Sequence, residues 1–535
     1  MISKPNIAII RYKKDLRVTD HVALCAAAQS GLPVIALYVR EPTIMTYPDY
    51  SHFHQYWIQE SLKDLRLQLR QLNIPMIMIH EEMLTALELV SEYYDIVQVF
   101  AHQETGNMAT YQRDISVIKY YKDYHIAFIE TPTNCVVRRL ANRDTWDAKQ
   151  KVIMKQPIIP IPEPINEWKI DDDLKYKARD TMNKFIPAIK PPWWQHDRET
   201  PWEKAGTVRL NLFIQSLSRG YLFVVSKPQQ ALSDSGRLSS YITYGNLSIK
   251  QVYQAYQHKS VLTQEQIKSS SDERQIKSRS SHLRSLKAFS SRLHRHCHFI
   301  QKLESRPEIE LTNQNTEFDQ VRQTIDQNYI TKREQGMTGV PLVDAGMRCL
   351  AQLWWINFRM RAMLTSFICN TCMQPRQAIA HHLARVLVDY EPGIHYSQLQ
   401  MQSGTTGINT IRIYNPLKQM HDKDEDLEFI RTRVPELQDL SDEEIWLLGS
   451  VAGNQLLILK SHIYPVMMID VVAANRIARD VLRDVMKDDR TRKQARGVYQ
   501  KVGSRSFDRR RWKNQTKPRN TSHTKQHIPQ KPLFE

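Results

Sequence analysis

Five short runs of apolar, largely β-branched or aromatic residues punctuate the first third of the chain: NIAIIRY (6–12), LPVIALYV (32–39), IPMIMIH (74–80), DIVQVFA (95–101) and HIAFIET (125–131). Each is short and apolar at nearly every position, the pattern of a strand covered on both faces. Between two of them, SHFHQYWIQESLKDLRLQLRQL (51–72) has helical periodicity with charges on one face. Strands separated by helices predict right-handed crossovers and a doubly wound parallel sheet, an α/β N-terminal domain over residues 1–135. Ligands of such sheets bind beyond the carboxyl ends of the strands. The segments RYKKDLRVTD (11–20) and AHQETGN (101–107) are therefore the places to look, and neither carries the Gly-rich phosphate loop of a Rossmann site.

From Trp146 to Trp202 the periodicity breaks. MKQPIIPIPEPINEW (154–168) and AIKPPWWQHDRETPWE (188–203) are Pro-rich and aperiodic, which predicts an interdomain linker over 136–205. Beyond it helical periodicity dominates, giving a larger all-helical domain over 206–485. The polar stretch KSSSDERQIKSRSS (268–281) is expected as an exposed loop within that domain.

Charge and cysteine usage narrow the class. Of a formal net charge of +17, residues 491–535 carry +11, with 13 Lys and Arg against 2 acidic residues. The stretch 486–535 is accordingly expected as a basic, disordered tail, in which RSFDRRRWK could contact a polyanion or merely solubilise. No apolar run approaches the ~20 residues of a membrane helix, and the apolar start at Ile7 to Ile10 is too brief for a signal peptide. A cytoplasmic protein is expected, nucleoid-associated if bacterial. The six scattered cysteines read as reduced, and Cys369-Asn-Thr-Cys372 lacks a second pair, so burial is expected there and no metal cluster. The stretch RLHRHCHF (292–299) would align His294, His296 and His298 on one face of a strand, whereas in a helix His296 turns away and a three-histidine metal face is lost.

Three segments of the second half, SGRLSSYITYGNLSIKQVY (235–253), TGVPLVDAGMRCLAQLWWINFRMRAML (338–364), and LVDYEPGIHY with IRIYNPLKQ (387–419), resemble the flavin-binding domain of the photolyase and cryptochrome family. The run IAIIRYKKDLRVTDHVALCAAAQSGLPVIALYV (7–39) resembles that family's antenna domain. The resemblance implies FAD in the helical domain and damaged DNA as the partner of a light-driven enzyme, here expected as a monomer. It implies flavin phosphates at Ser235, Gly236, Arg237, Leu238 and Ser239, where hydroxyls and a cation precede a helix. It implies a flavin-contacting aromatic at Tyr221, and Arg361 paired with Asp389 beside the isoalloxazine ring, followed by Tyr390 and by Glu391 in place of a second aspartate. His395 falls where the family faces the reactive ring nitrogen, and imidazole could donate a proton there.

Departures from the family matter as much. Arg295 replaces a tryptophan that stacks on the lesion, His296 replaces an arginine, and Phe358 replaces an amide that bonds a flipped pyrimidine. Arg292, Arg295, Phe358 and Arg359 are the candidate DNA contacts, with Arg295, His296 and His395 as candidate catalytic groups. Leu399 and Arg376 occupy two positions of the family's tryptophan relay, leaving Tyr390, Tyr396, Trp354 or Trp355 as the electron path, or only feeble photoreduction. Glu104 lies near where some relatives hold a folate antenna and others a deazaflavin. Besides a photolyase, the pattern admits a cryptochrome-like photoreceptor or a nucleic-acid-binding relative without photochemistry.

Overall fold

The computed structural model describes residues 4–188 and 200–504. All five expected strands form: β1 (Asn6–Arg11), β2 (Val34–Val39), β3 (Met76–Ile79), β4 (Asp95–His102) and β5 (Ala127–Thr131), in one parallel sheet of order β3-β2-β1-β4-β5. Ile9 of β1 pairs with Ile35 of β2 on one side and Val99 of β4 on the other, so the strand order reverses at β1.

The alternation of side chains sorts the sheet between two cores. Ile7, Ile9, Ile35, Leu37 and Val99 pack under the helices Met83–Ser91 and Met108–Asp123. Ala8, Ile10 and Ala36 face Leu24, Trp57 and Leu65, and this second core continues without a break into Phe213, Tyr241, Val252 and Leu293 of the helical half. A third core lies wholly in the helical half, around Leu342, Met360, Phe367, Ile379, Tyr396 and Phe429.

Several expected boundaries move. The linker is not aperiodic throughout, because it holds helices at Trp146–Lys155 and Asp172–Asn183, the latter capped by Asp171 accepting from the Asp173 and Leu174 amides. The polar stretch 268–281 is mostly helix: Asp272 caps Glu273–Ser305, and Arg279 bonds the Gln266 carbonyl across the short turn. Helices also pass residue 485, at Val471–Lys487 and Asp489–Val502. The expected basic contact RSFDRRRWK lies outside the described residues, as does most of AIKPPWWQHDRETPWE. All six cysteines are free, and five of them are buried. No helix among the described residues is long and apolar enough to cross a membrane.

The helix Pro392–Ser403 crosses Glu273–Ser305 at Gly393, where an added Cβ would lie 2.6 Å from Ile300 Cα and 3.1 Å from the Phe299 carbonyl. Backbone atoms cannot swing aside as a side chain can. Gly393→Ala is therefore expected to destabilise the fold by about 1–3 kcal/mol, read as a lowered denaturation midpoint with an unchanged slope.

Candidate flavin and nucleic-acid site

Asp389 lies between the helix Gln377–Arg385 and Pro392–Ser403, and Arg361 lies on Phe358–Ser366. They meet as a two-pronged pair, Nη1 to Oδ1 at 3.0 Å and Nη2 to Oδ2 at 2.9 Å, while Arg361 Nε donates to the Ile356 carbonyl at 2.8 Å. The carboxylate side chain is 3% exposed and the guanidinium 24%, so the arginine forms the open side of the pair. Burial pushes the Asp389 carboxyl up, but the Arg361 charge and bonds, with a bond from Ser239 and the Arg237 charge, outweigh it and hold the carboxyl below its ordinary value.

Ser239, at the start of Ser239–Thr243, also accepts from Trp355 Nε1 at 3.3 Å. The Arg237 guanidinium lies over the Trp355 ring, 4.2 Å from its centroid. Arg237 takes a left-handed backbone, φ +49°. Arg209 holds this turn by donating to the Ser235 and Gly236 carbonyls at 2.7 and 2.9 Å. Leu238 packs into the shared core, and the Ser235 hydroxyl turns back to the Ala231 carbonyl. Of the five residues 235–239, the structure thus gathers Arg237 and Ser239 with Asp389 and Arg361. Arg209 went unnoticed in the sequence, and Trp355, named there only as a possible electron carrier, stands here as the partner of Ser239 and Arg237.

Tyr221 is buried edge-on to Phe213 and Phe289, with the Arg292 guanidinium 5.2 Å from its ring centroid. Arg295 is half-buried, and burial, then the neighbouring Arg292, lower its pKa against an opposing effect of Tyr221, with Arg412 adding a smaller push down. Three arginines therefore converge here. Arg359 lies 5.8 Å over the Tyr414 ring, and Phe358 begins its helix, partly buried.

The rest of RLHRHCHF faces elsewhere. His294 and His298 share a helix face against Trp146, at ring distances of 5.3 and 5.9 Å. His298 accepts from Arg143, and His294 bonds Gln150. His296 points away from both, with Nε2 unbonded among the described residues and burial pushing its imidazole down to about 4.

His395 takes a different role from proton donor. Its Nε2 lies 2.9 Å from the Ala380 carbonyl, which can only accept, so the proton sits on Nε2 and Nδ1 keeps a lone pair. Burial pushes it down to about 4, leaving the ring neutral near pH 7. Tyr390 directs its hydroxyl to Asp49 of the N-terminal domain. Glu391 lines the interdomain cavity, and burial, opposed by Lys14 and the Gly393 amide, pushes its carboxyl up to about 7.

Two clefts open at the carboxyl ends of the strands. Both are lined by Lys13, Lys14 and Glu104 from the two loops singled out in the sequence, and the first also by Asp49, Tyr50, Arg113 and Tyr390. Beside the second lies a buried group of Asp15, His21 and His102. The Leu24 amide donates to His21 Nδ1, so the neutral ring carries its proton on Nε2, 3.1 Å from Asp15 Oδ2; His102 Nδ1 is 2.9 Å from the same oxygen. A metal ligand needs a lone pair where His21 holds a proton, so the group is a hydrogen-bonded one.

Residues 289–484 match the family described as the FAD binding domain of DNA photolyase, and residues 8–151 match the DNA photolyase domain. The chain belongs to the photolyase and cryptochrome family. A deoxyribodipyrimidine photo-lyase of Vibrio cholerae is 24% identical over 484 residues, 86% of this chain and 96% of that protein. Cryptochrome-1 of Sinapis alba is 24% identical over 464 residues, 82% and 87% respectively. The crystal structure of a bacterial class III photolyase from Agrobacterium tumefaciens shares the fold with a TM-score of 0.74 at 22% identity, covering 91% of this chain and 99% of that one. Repair enzymes and photoreceptors match alike, so the comparison carries the family and its flavin domain, not the choice of activity.

The residues present suit FAD. Arg237 and the Ser239 hydroxyl would offer a cation and a hydroxyl to a pyrophosphate, Trp355 an aromatic wall, and Arg361 with Asp389 a charge of each sign to the edge of a flavin ring.

Glu391 gives the site a pH signature. Its folded pKa lies above the ordinary 4.5, so from about 4.5 to about 7 the folded chain keeps a proton that the unfolded chain has lost. Stability from this group is present below 4.5 and declines as pH rises through that window. Glu391→Gln removes the titration, so melting curves of the two proteins should diverge in the variant's favour from pH 4.5 to 7.5, by on the order of 3 kcal/mol in the limit.

Proposed function

We propose that the protein is a light-driven DNA photolyase that binds FAD in its helical half and splits pyrimidine dimers in damaged DNA. The observation that carries this reading is the network joining Arg361, Asp389, Ser239, Trp355 and Arg237, a buried charge pair and a cation-covered indole, of which Arg361, Asp389 and Trp355 fall within the match to the FAD binding domain. Bound there, reduced FAD supplies a light-excited electron to the lesion.

The chain's own residues do the rest. Asp389 holds Arg361 in one orientation and keeps a negative charge beside it at neutral pH, fixing the local potential. Arg292 and Arg412 lie close enough to act on the Arg295 charge near Tyr221, a cluster of positive charge that phosphates would offset. Extruding a dimer from the duplex costs a few kcal/mol, and stacking on an aromatic would return ~1–3 kcal/mol per base. With Arg295 where a relative has tryptophan, the planar guanidinium is the stacking surface available. The cavity lined by Asp49, Tyr50 and Arg113 is the place for an antenna chromophore, folate or deazaflavin.

A second reading, a photoreceptor without repair activity, is favoured by Arg295 and Phe358 standing where relatives carry lesion-contacting tryptophan and asparagine. Oligonucleotides bearing either the cyclobutane dimer or the 6-4 product, incubated with photoreduced protein in light and in darkness, separate the two. Light-dependent loss of either lesion is the expected result, and spectral change without repair of both would favour the sensor. Asp389→Ala is expected to cut FAD occupancy at least about tenfold, since Arg361 would lose both of its carboxylate bonds; full occupancy, read as flavin absorbance per chain, would count against the site.

A further inference from the structure

Tyr390 joins the flavin motif to the N-terminal domain. It follows Asp389 directly, yet its hydroxyl donates to Asp49 Oδ2 at 2.5 Å, and the Tyr396 hydroxyl reaches the same oxygen at 3.4 Å. Asp49 is 2% exposed and is held by the Asn107 amide at 3.1 and 3.0 Å. The rings form a cluster: His395 stands edge-on to both Tyr390 and Tyr396 at 5.1 Å, the two tyrosines are 6.4 Å apart, and His54 stacks on Tyr390 at 5.6 Å.

The charged and titratable groups facing Tyr390 are Lys14, 5.7 Å over its ring, and Asp49, His54, His395 and Tyr396. His54 and His395 each lie at hydrogen-bond distance from a backbone carbonyl, and burial holds both rings down to about 4. Both are therefore neutral near pH 7. Among the described contacts, Asp49 is the carboxylate positioned to take the phenolic proton.

Three other positions, Leu399, Arg376 and Trp355, conduct positive charge poorly. Leu399 is saturated, and Arg376 is buried with its guanidinium spent on Asn313 Oδ1 and the Glu310 and Thr312 carbonyls. Trp355 lies under Arg237 and within 5.9 Å of Arg361, so an indole radical cation there would face two guanidinium charges. A tyrosine that loses its proton along with its electron leaves no positive charge behind.

Resting on the flavin assignment above, we propose that Tyr390, with Asp49 as proton acceptor, is the electron donor through which light-excited oxidised FAD is reduced in this protein. One electron passes from the Tyr390 phenol to the excited flavin as the O–H bond breaks and its proton moves to Asp49 Oδ2, leaving a neutral tyrosyl radical and a neutral carboxylic acid. Tyr396 then passes an electron to Tyr390, Asp49 returns its proton to the Tyr390 oxygen and takes the Tyr396 proton, and the radical now resides on Tyr396. An external thiolate then supplies an electron to Tyr396 while Asp49 returns its proton, which restores both tyrosines and the carboxylate and leaves a thiyl radical.

The test uses full-length protein loaded with oxidised FAD, illuminated with blue light in the presence of dithiothreitol and absence of DNA. The wild type should show a tyrosyl radical by electron paramagnetic resonance and a protonated-carboxyl band in the light-minus-dark infrared spectrum. Tyr390→Phe should abolish both and slow photoreduction on the order of tenfold or more. Asp49→Asn should keep flavin but lose the carboxyl band and slow photoreduction similarly. In flavin-free protein, Asp49→Asn should also lower the pH of a buried phenol's ultraviolet titration, a readout independent of the cofactor. Wild-type photoreduction in flavin-loaded Tyr390→Phe, or a tryptophan radical in its place, overturns the proposal alone. Protein that takes up no FAD overturns both this proposal and the flavin reading.

Discussion

The pair of Asp389 with Arg361 is the constraint on which the functional geometry hangs. A buried ion pair adds little net stability, because desolvating the charges cancels much of their attraction. Its structural effect is positional. Arg361 spends Nε on the Ile356 carbonyl and both terminal nitrogens on Asp389, so it cannot rotate without leaving three bonds unmade. Thr243 donates to the Asp389 carbonyl and the Val388 amide to that of Trp354, which ties the segment carrying Asp389 to the flavin-side helix and to the tryptophan pair. Ser239 bridges the carboxylate to Trp355, and Trp355 carries Arg237 on its face. Removing the carboxylate would unmake both Arg361 bonds and the Ser239 contact at once, leaving the backbone ties in place.

The seam between the two halves is built from the loop after β1. Arg17 donates to the Gly245 carbonyl, Glu203 accepts from the Val18 and Thr19 amides, and the Leu16 amide bonds the Tyr244 carbonyl. Gly245, at φ +72°, lies so close that a Cβ would sit 2.4 Å from Asp15 Cα. The loop that lines the cavities is thus also the loop that seats the helical domain. A chromophore bound over β1 would lie against the same loop, beside the cavity that Glu391 lines.

Much of this was legible in the sequence, for reasons that also explain the failures. The five strands announced themselves because a parallel sheet covered on both faces admits apolar residues at nearly every position. Arg361 and Asp389 were found through a resemblance, and their distance in the fold was not readable from spacing. The stretch 268–281 read as a loop because it is solvated, yet polarity does not prevent a helix that a cap starts and whose buried stripe begins only further on, at His282, Ser285 and Leu286. His395 was misjudged as a donor because its tautomer is set by the Ala380 carbonyl, a partner on a different helix. Asp49 was invisible as a partner of Tyr390, since 341 positions separate them and no motif surrounds it.

Three buried carboxylates stand near the domain seam, each matched to a donor of different proton affinity. Asp389 faces a guanidinium, which holds its proton at any accessible pH and so fixes a charge. Asp15 faces neutral imidazole N–H groups of His21 and His102, which orient without charging. Asp49 faces two phenols, whose protons are tightly held while the rings are intact but become strongly acidic when an electron is withdrawn. Burial pushes the Tyr390 phenol well up and the Asp49 charge adds to it, so no proton leaves in the ground state. Of the three, the phenol group alone can exchange electron and proton together without creating a buried charge, and it is also the one whose backbone adjoins the residue that orients Arg361. With Leu399 and Arg376 at the positions where the resemblance would put tryptophans, such a pair would keep an electron path open, provided the proton has somewhere to go.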